Sequence, residues 1–173
     1  MRETQTTIEA WRRDTFGEGP TDIKRALFRM AVRANTEMAE LLVKVATNAP
    51  HEERHREAAD VAIVLYGVAE LGGFDLRASH GFYEIEQEVS HERCWLQASQ
   101  ALARCVYEIG TGLCKCSPIM PRYCFRWLER GVWLSGYGET LDNQVDAKMA
   151  INRARVWAKT DEGHGHHVDP VGG

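Results

Sequence analysis

The stretch RANTEMAELLVKVATNAPHEERHREAADVAIVLYGVAELGG, residues 33–73, decides the fold. Both halves are rich in Ala, Leu, Val and Glu, neither contains a run of strict apolar–polar alternation, and Asn48-Ala49-Pro50 separates them. The first half continues a pattern that starts upstream. Leu27, Met30, Val32, Met38, Leu41, Leu42 and Val45 recur at helical spacing behind Thr21 or Asp22, either of which can cap the helix. The second half predicts a helix from about Glu52 to Leu71, stopped by Gly72-Gly73. So short a connection makes the two helices antiparallel neighbours in a helical hairpin.

The hairpin carries two matched acidic spacings, Glu37-x-x-Glu40 and Glu57-x-x-Asp60. Residues three apart share a helix face, so each pair projects in one direction. Counted from the turn at Pro50, Glu37 lies farther out than Glu57, and the two pairs meet only with a helical offset. Four carboxylates facing one another repel unless cations neutralise them. An all-oxygen ligand set suits Mg²⁺ or Mn²⁺, which favour a few carboxylates together with water and substrate phosphates. The bland alternative is a solvated face whose acids pair with Arg33, Lys44 or Arg56. Two pairs on consecutive helices, bracketed by Met38, Ala39, Leu41, Ala58, Ala59, Val61 and Ala62, favour metal, because acids left unpaired in a core-forming hairpin cost several kcal/mol each.

Outward from the hairpin, Thr6–Arg13 predicts a short first helix with Ile8 and Trp11 on one face, broken by Phe16-Gly17-Glu18-Gly19-Pro20. Tyr83–Ile109 predicts one long helix ended by Gly110-Thr111-Gly112, and Arg122–Leu134 another, followed by a loop at Gly136-Tyr137-Gly138. Asp142 is the expected cap of a last helix whose stripe Val145, Met149, Ile151 and Val156 faces the core. The Gly- and His-rich tail, residues 160–173, is expected to be irregular. With no strand and no internal repeat, the fold class is all-α: a single domain over residues 1–173 in which residues 77–141 form a helical, cysteine-containing insertion before the last helix.

Composition narrows the partners. Apolar residues make up 44% and charged residues 27% of the chain, an ordinary globular balance. The net charge of −4 argues against a general nucleic-acid binder. The longest apolar run, Val61–Val68, falls well short of the ~20 residues of a membrane span. A polar, charged N-terminus and an odd count of five cysteines (94, 105, 114, 116 and 124) point to a cytoplasmic protein with reduced thiols. The cysteine spacing fits known zinc sites poorly.

Lys148, Asn152 and Arg155 form a second candidate constellation, a one-sided stripe of phosphate-binding groups on the last helix. The alternative is an ordinary solvated face, since Arg153 and Lys159 are basic as well. Two decoys fail on context. His51-Glu52-Glu53-Arg54-His55 matches the H-E-x-x-H string of zinc proteases, but it opens a helix directly after Pro50 among charged neighbours. Glu52-x-x-His55 and Glu88-x-x-His91 imitate the E-x-x-H pairs of di-iron bundles, again without apolar surroundings.

Taken together, E-x-x-E, then E-x-x-D, then KMAINRARVW at Lys148–Trp157 resembles the MazG-like all-α nucleoside triphosphate pyrophosphohydrolase superfamily. Ile8-x-x-Trp11, RANTEMAELL at Arg33–Leu42, EAADVAIVLYGVAELGGFDL at Glu57–Leu76 and GHGHHV at Gly163–Val168 resemble its phage dATP/dGTP branch, MazZ-like. The resemblance covers roughly residues 5–76 and 141–168, and implies a helical bundle of that type. It further implies a purine deoxynucleoside triphosphate substrate, dGTP ahead of GTP and dATP, split to monophosphate and pyrophosphate for phage nucleotide-pool remodelling and 2-aminoadenine synthesis. A homo-oligomer, dimer or tetramer, is implied too.

On this reading Glu37, Glu40, Glu57 and Asp60 hold two or three Mg²⁺ ions, with Mn²⁺ able to substitute, and Glu40 orients or deprotonates the attacking water. Lys148, Asn152 and Arg155 hold phosphates, and Trp11 is a candidate to stack on the base, its alternative being simple core. Asn35, His164 and His167, within the matching segments, complete the candidate substrate contacts. Two alternatives remain: a pyrimidine (dCTP or dUTP) pyrophosphatase on the same scaffold, and a non-catalytic nucleotide-binding regulatory protein.

Overall fold

In a computed structural model, residues 2–17, 21–78, 89–112, 117–136, 138–159 and 165–167 are described. They form six α-helices and one short two-stranded ribbon, so the fold class is all-α. The helices are α1 (Gln5–Phe16), α2 (Ile23–Ala46), α3 (His51–Gly72), α4 (His91–Thr111), α5 (Ile119–Ser135) and α6 (Leu141–Ala154). No helix of the described residues is long and apolar enough to cross a membrane.

Local signals account for most helix ends. The Asp22 carboxylate accepts from the backbone N–H of Lys24 and Arg25 and caps α2, which decides between Thr21 and Asp22. Thr4 and Thr7 cap each other reciprocally at the start of α1. Gly73 (φ +69°) and Gly112 (φ +67°) close α3 and α4 in the left-handed region that favours glycine. The α2–α3 turn has Asn48 at φ +51°, a conformation asparagine tolerates better than most residues.

Several expected boundaries move. Helix α1 reaches Phe16, and α5 starts at Ile119 rather than Arg122. The helix expected over Tyr83–Ile109 begins at His91, because the Ser90 hydroxyl accepts from the Arg93 N–H and sets the cap there; residues 83–88 lie outside the described residues. Thr140, not Asp142, caps α6, its hydroxyl accepting from the Asn143 N–H. The tail is not wholly irregular either: β1 (Trp157–Lys159) pairs antiparallel with β2 (Gly165–His167). A three-residue pairing leaves too little periodicity to read from sequence.

Helix α3 is the centre of the bundle. Ala58, Ala59, Val61, Ala62, Leu65, Tyr66, Val68 and Ala69 are all sealed from solvent, and every other helix except α4 packs closely on it. Helices α4 and α5, the expected insertion, are not an appendage. Trp95, Leu102, Phe125 and Leu128 lie fully buried in the same core as Met38, Leu41 and Met149. Gly131 lets the Trp95 ring pass, since a Cβ built there would meet ring carbons at 2.5–2.7 Å. Tyr66 on α3 packs edge-on against Phe125 on α5, ring centroids 5.5 Å apart.

Candidate functional site

The α2–α3 register is set by two contacts. Met30 lies against Gly67, and the Lys44 ammonium holds the Glu53 carboxylate at 2.7 Å across the turn. Carried inward from both ends, that antiparallel register sets Glu37 opposite Asp60 and Glu40 opposite Glu57. The turn centres on Asn48 and Ala49 rather than on Pro50, so the offset expected from the sequence vanishes. Alanines at 58, 59 and 62 and at 31 and 34 line the buried faces of the two helices and allow close approach.

Electrostatics agrees with the register. Glu37 is raised above the ordinary carboxylate range, first by burial and then by the charge of Asp60, against relief from Arg33 and Lys148. Glu57 is raised likewise by burial and then by Asp60, with Glu40 adding to the repulsion. Asp60 is raised by burial, which outweighs the attraction of Lys148 and Arg155. Glu40 lies exposed at the rim, and Asn35 is exposed two residues before Glu37.

Helix α6 supplies the counter-charge. The Lys148 Nζ donates to Asp60 Oδ2 at 2.5 Å, with side chains only 13% and 17% exposed. Arg155 is close enough to stabilise the Asp60 charge, but it is the extended C-cap residue of α6 and not part of the helix. The expected stripe of Lys148, Asn152 and Arg155 therefore breaks up. Asn152 is buried beside Met149, and its backbone carbonyl accepts from the Trp157 indole N–H at 2.8 Å. Ile151 and Val156, expected in the core, are exposed, as is Val32 on α2. The buried face of α6 is instead Leu141, Val145, Met149 and Asn152. A 14-residue helix with so few large apolar residues leaves its buried arc poorly defined by sequence.

Trp11 stands edge-on to Phe16 and Trp157, centroids 5.6 and 5.9 Å away, so its ring anchors β1 to α1 as part of an aromatic triad. His164 lies outside the described residues, and of His167 only the backbone pairing in β2 is described. Arg33, read from sequence only as an ion-pair partner, belongs to the cluster: its Nε lies 3.6 Å from Glu37, the i,i+4 spacing being the signal that was available.

The H-E-x-x-H string has a structural role at its second histidine, whereas Glu88 of the other decoy lies outside the described residues. His55 is completely buried, Nε2 sharing a hydrogen bond with Ser135 Oγ at 2.8 Å and Nδ1 lying 3.3 Å from Glu139. Burial lowers its pKa against the opposing pull of the Glu139 carboxylate, and the ring ties α3 to the end of α5. Cys94, Cys105 and Cys124 are buried, burial raising the Cys94 thiol to about 11; Cys114 and Cys116 lie outside the described residues.

No three His, Cys, Asp or Glu side chains among the described residues converge as a ready ligand set. The donor chemistry nevertheless fits a hard divalent cation: four carboxylates, two from each helix, of which Glu37, Glu57 and Asp60 are held in an environment that disfavours their charge. A cation placed among them would relieve that penalty. No family model matches the chain, and neither a curated protein nor a solved structure matches it.

Proposed function

We propose that the protein is a metal-dependent nucleoside triphosphate pyrophosphohydrolase of the MazG-like kind, acting on a purine deoxynucleoside triphosphate with dGTP first. The observation that supports it most is the pairing of Glu37 with Asp60 and Glu40 with Glu57 across α2 and α3, with Lys148 from α6 seated on Asp60. Two facing acidic pairs and an adjoining cation are what a polyphosphate and its metals need together. The chain's resemblance to the dATP/dGTP branch, and nothing in the geometry, carries the choice of base.

Glu37, Glu57 and Asp60, with Glu40, would hold Mg²⁺ or Mn²⁺. When bound, two or three such ions supply charge neutralisation for the triphosphate and a more acidic water. Glu40, the most open of the four acids, orients the attacking water and takes its proton as the α-phosphorus is attacked in line and pyrophosphate departs. Lys148 and Arg155 draw the β- and γ-phosphates toward the acids and stabilise the charge that builds on the leaving group. Asn152 acts beneath the site by holding Trp157, and so the ribbon, in place. A role in phage nucleotide pools belongs to the same resemblance, and a cytoplasmic setting to the polar N-terminus and the odd count of cysteines.

A second copy is part of this reading. Helix α2 exposes Phe28, Val32 and Val43 along one side, an apolar surface that a second copy would cover.

The test is a panel of dGTP, GTP, dATP, dCTP and dUTP with products identified, repeated in EDTA. Monophosphate plus pyrophosphate from purines, lost in EDTA and restored by Mg²⁺ or Mn²⁺, is the expected result. Preference for dCTP or dUTP transfers the assignment to the pyrimidine enzyme. Release of single phosphate, or activity in EDTA, overturns it, and nucleotide binding without turnover leaves a regulatory protein.

A further inference from the structure

We propose a second ligand site, separate from the acids of α2 and α3: a trough between α5 and the start of α6 that takes a nucleoside phosphate, its ring on Trp133 and its phosphate at Arg126. The trough has a volume of about 370 Å³, within the ~300–1,000 Å³ of small-molecule sites. One wall is a single stripe of α5, where Arg126, Glu129, Arg130 and Trp133 recur at i, i+3, i+4 and i+7. The other is residues 139–142, the link into α6. It shares no residue with the acid cluster. Asp142 in its wall and Lys148 on Asp60 diverge by roughly 120° around α6, so the two sites flank that helix on different sides.

One end of the trough suits a planar ring. Trp133 is half exposed on a helix whose Phe125, Trp127 and Leu128 are buried. The Arg130 guanidinium lies over its ring, 5.1 Å from the centroid, and the aromatic surface left to solvent is open to stacking. The Gly138 N–H donates to the Trp133 carbonyl at 3.3 Å, which brings the following residue, Glu139, back to this end. Glu139 Oε2 faces both the Gln144 amide and the His55 ring, so Oε1 is left to accept from a ring N–H or amino group.

The other end, two helical turns or about 10 Å away, suits an anion. Arg2 and Arg77 both hold Asp142, and Arg126 holds Glu129 at 3.0 Å, so three guanidiniums face two carboxylates. Arg126 is 47% exposed; one terminal nitrogen serves Glu129 and the other the Arg77 carbonyl at 3.4 Å. A guanidinium has five N–H donors in a fork, and those that remain are suited to a phosphate. A plain anion leaves the Trp133 surface unused, and an apolar molecule gains nothing from the guanidiniums. A ring with hydrogen-bond donors at one end and a phosphate at the other uses both, which is the layout of a nucleoside phosphate. No metal enters this reading, and it is independent of the function proposed for the four acids.

The experiment follows fluorine NMR of the full-length protein carrying 5-fluorotryptophan, in EDTA, as AMP, adenosine or inorganic phosphate is added. The chain has five tryptophans, and a Trp133→Phe variant assigns the signal of Trp133. Arg126→Gln is titrated alongside, with helical content checked for both variants. AMP is expected to move the Trp133 signal saturably, with adenosine and phosphate each binding about tenfold more weakly. Arg126→Gln is expected to weaken AMP about tenfold, to the level of adenosine. No movement of the Trp133 signal up to about 10 mM AMP, or movement confined to the other tryptophans, overturns the site. Phosphate binding as tightly as AMP, or unchanged AMP affinity in Arg126→Gln, overturns the assigned ligand. Binding at Trp133 by a protein that hydrolyses no nucleotide supports the site while removing the proposed activity, so the two fail separately.

Discussion

Replacing Asp60 by Asn separates what the acid does for the fold from what it does for chemistry. The substitution keeps shape and one oxygen acceptor for Lys148 but removes the negative charge. Burial raises the pKa of Asp60, and the Lys148 and Arg155 charges do not make up the difference. A raised folded-state pKa means that the fold prefers the neutral group, so the neutral amide is expected to leave stability within about 1 kcal/mol of the wild type at neutral pH, or above it. The reverse change, Lys148→Met, strips the counter-charge from a pair intermediate between surface and core, and is expected to cost about 2 kcal/mol, or about 4–8 °C in Tm for a domain of this size. Hydrolysis is expected to respond the other way round in severity. Losing a metal-holding carboxylate removes about 4 kcal/mol of transition-state stabilisation, about a thousandfold in kcat/KM for Asp60→Asn. Thermal melts in chelator and monophosphate release with saturating Mg²⁺ check the two halves on the same protein. A loss of more than about 3 kcal/mol in Asp60→Asn would refute the burial argument, because the Lys148 bridge would then outweigh it. Wild-type turnover by the variant would refute the metal role of Asp60.

The three raised acids also set a pH dependence. Between the ordinary carboxylate range and their raised folded-state values, the folded protein binds more protons than the unfolded chain, so their contribution to stability falls as pH rises through that window and the full cost persists above it. Buried His55, with a lowered pKa, works in the opposite sense, losing stability as pH drops through the imidazole range. The acids are isolated by subtracting a Glu57→Gln, Asp60→Asn double variant. Urea midpoints in chelator from about pH 5 to about pH 8 are expected to fall more steeply for the wild type, and equal slopes count against the facing-acid geometry. Two glycines test the packing. Gly131→Ala drives a Cβ into the buried Trp95 ring, and is expected to cost about 1–3 kcal/mol despite alanine's better helix propensity. Gly67→Ala meets only the flexible end of Met30 at 3.2–3.5 Å and is expected to lie within about 1 kcal/mol of the wild type by the same melts, so equal losses at both positions would contradict the packing around Trp95.

What was legible in the sequence is what depends on neighbours along the chain. The hairpin helices α2 and α3, the cap at Asp22, the glycine stop after Gly72 and the one-sided placement of Glu37 with Glu40 and of Glu57 with Asp60 all follow from periodicity and turn chemistry within a few residues. The weakest local signals produced the errors. Asp142 looked like a cap, but Thr140 takes that role and Asp142 instead joins Arg77 and Arg2. Ile151 and Val156 looked like core, yet face outward because the fold, rather than apolar character alone, selects the buried arc of α6. Tertiary structure alone decided that Glu37 stands opposite Asp60 and Glu40 opposite Glu57, that Asn152 is buried, and that Lys148, 88 positions away in the chain, lands on Asp60. Helical periodicity specifies which way a side chain points from its own axis. Which partner it meets depends on how far one axis slides and turns against another, and that is set by packing distant in sequence: Met30 on Gly67, Lys44 on Glu53, and Met149 in the common core.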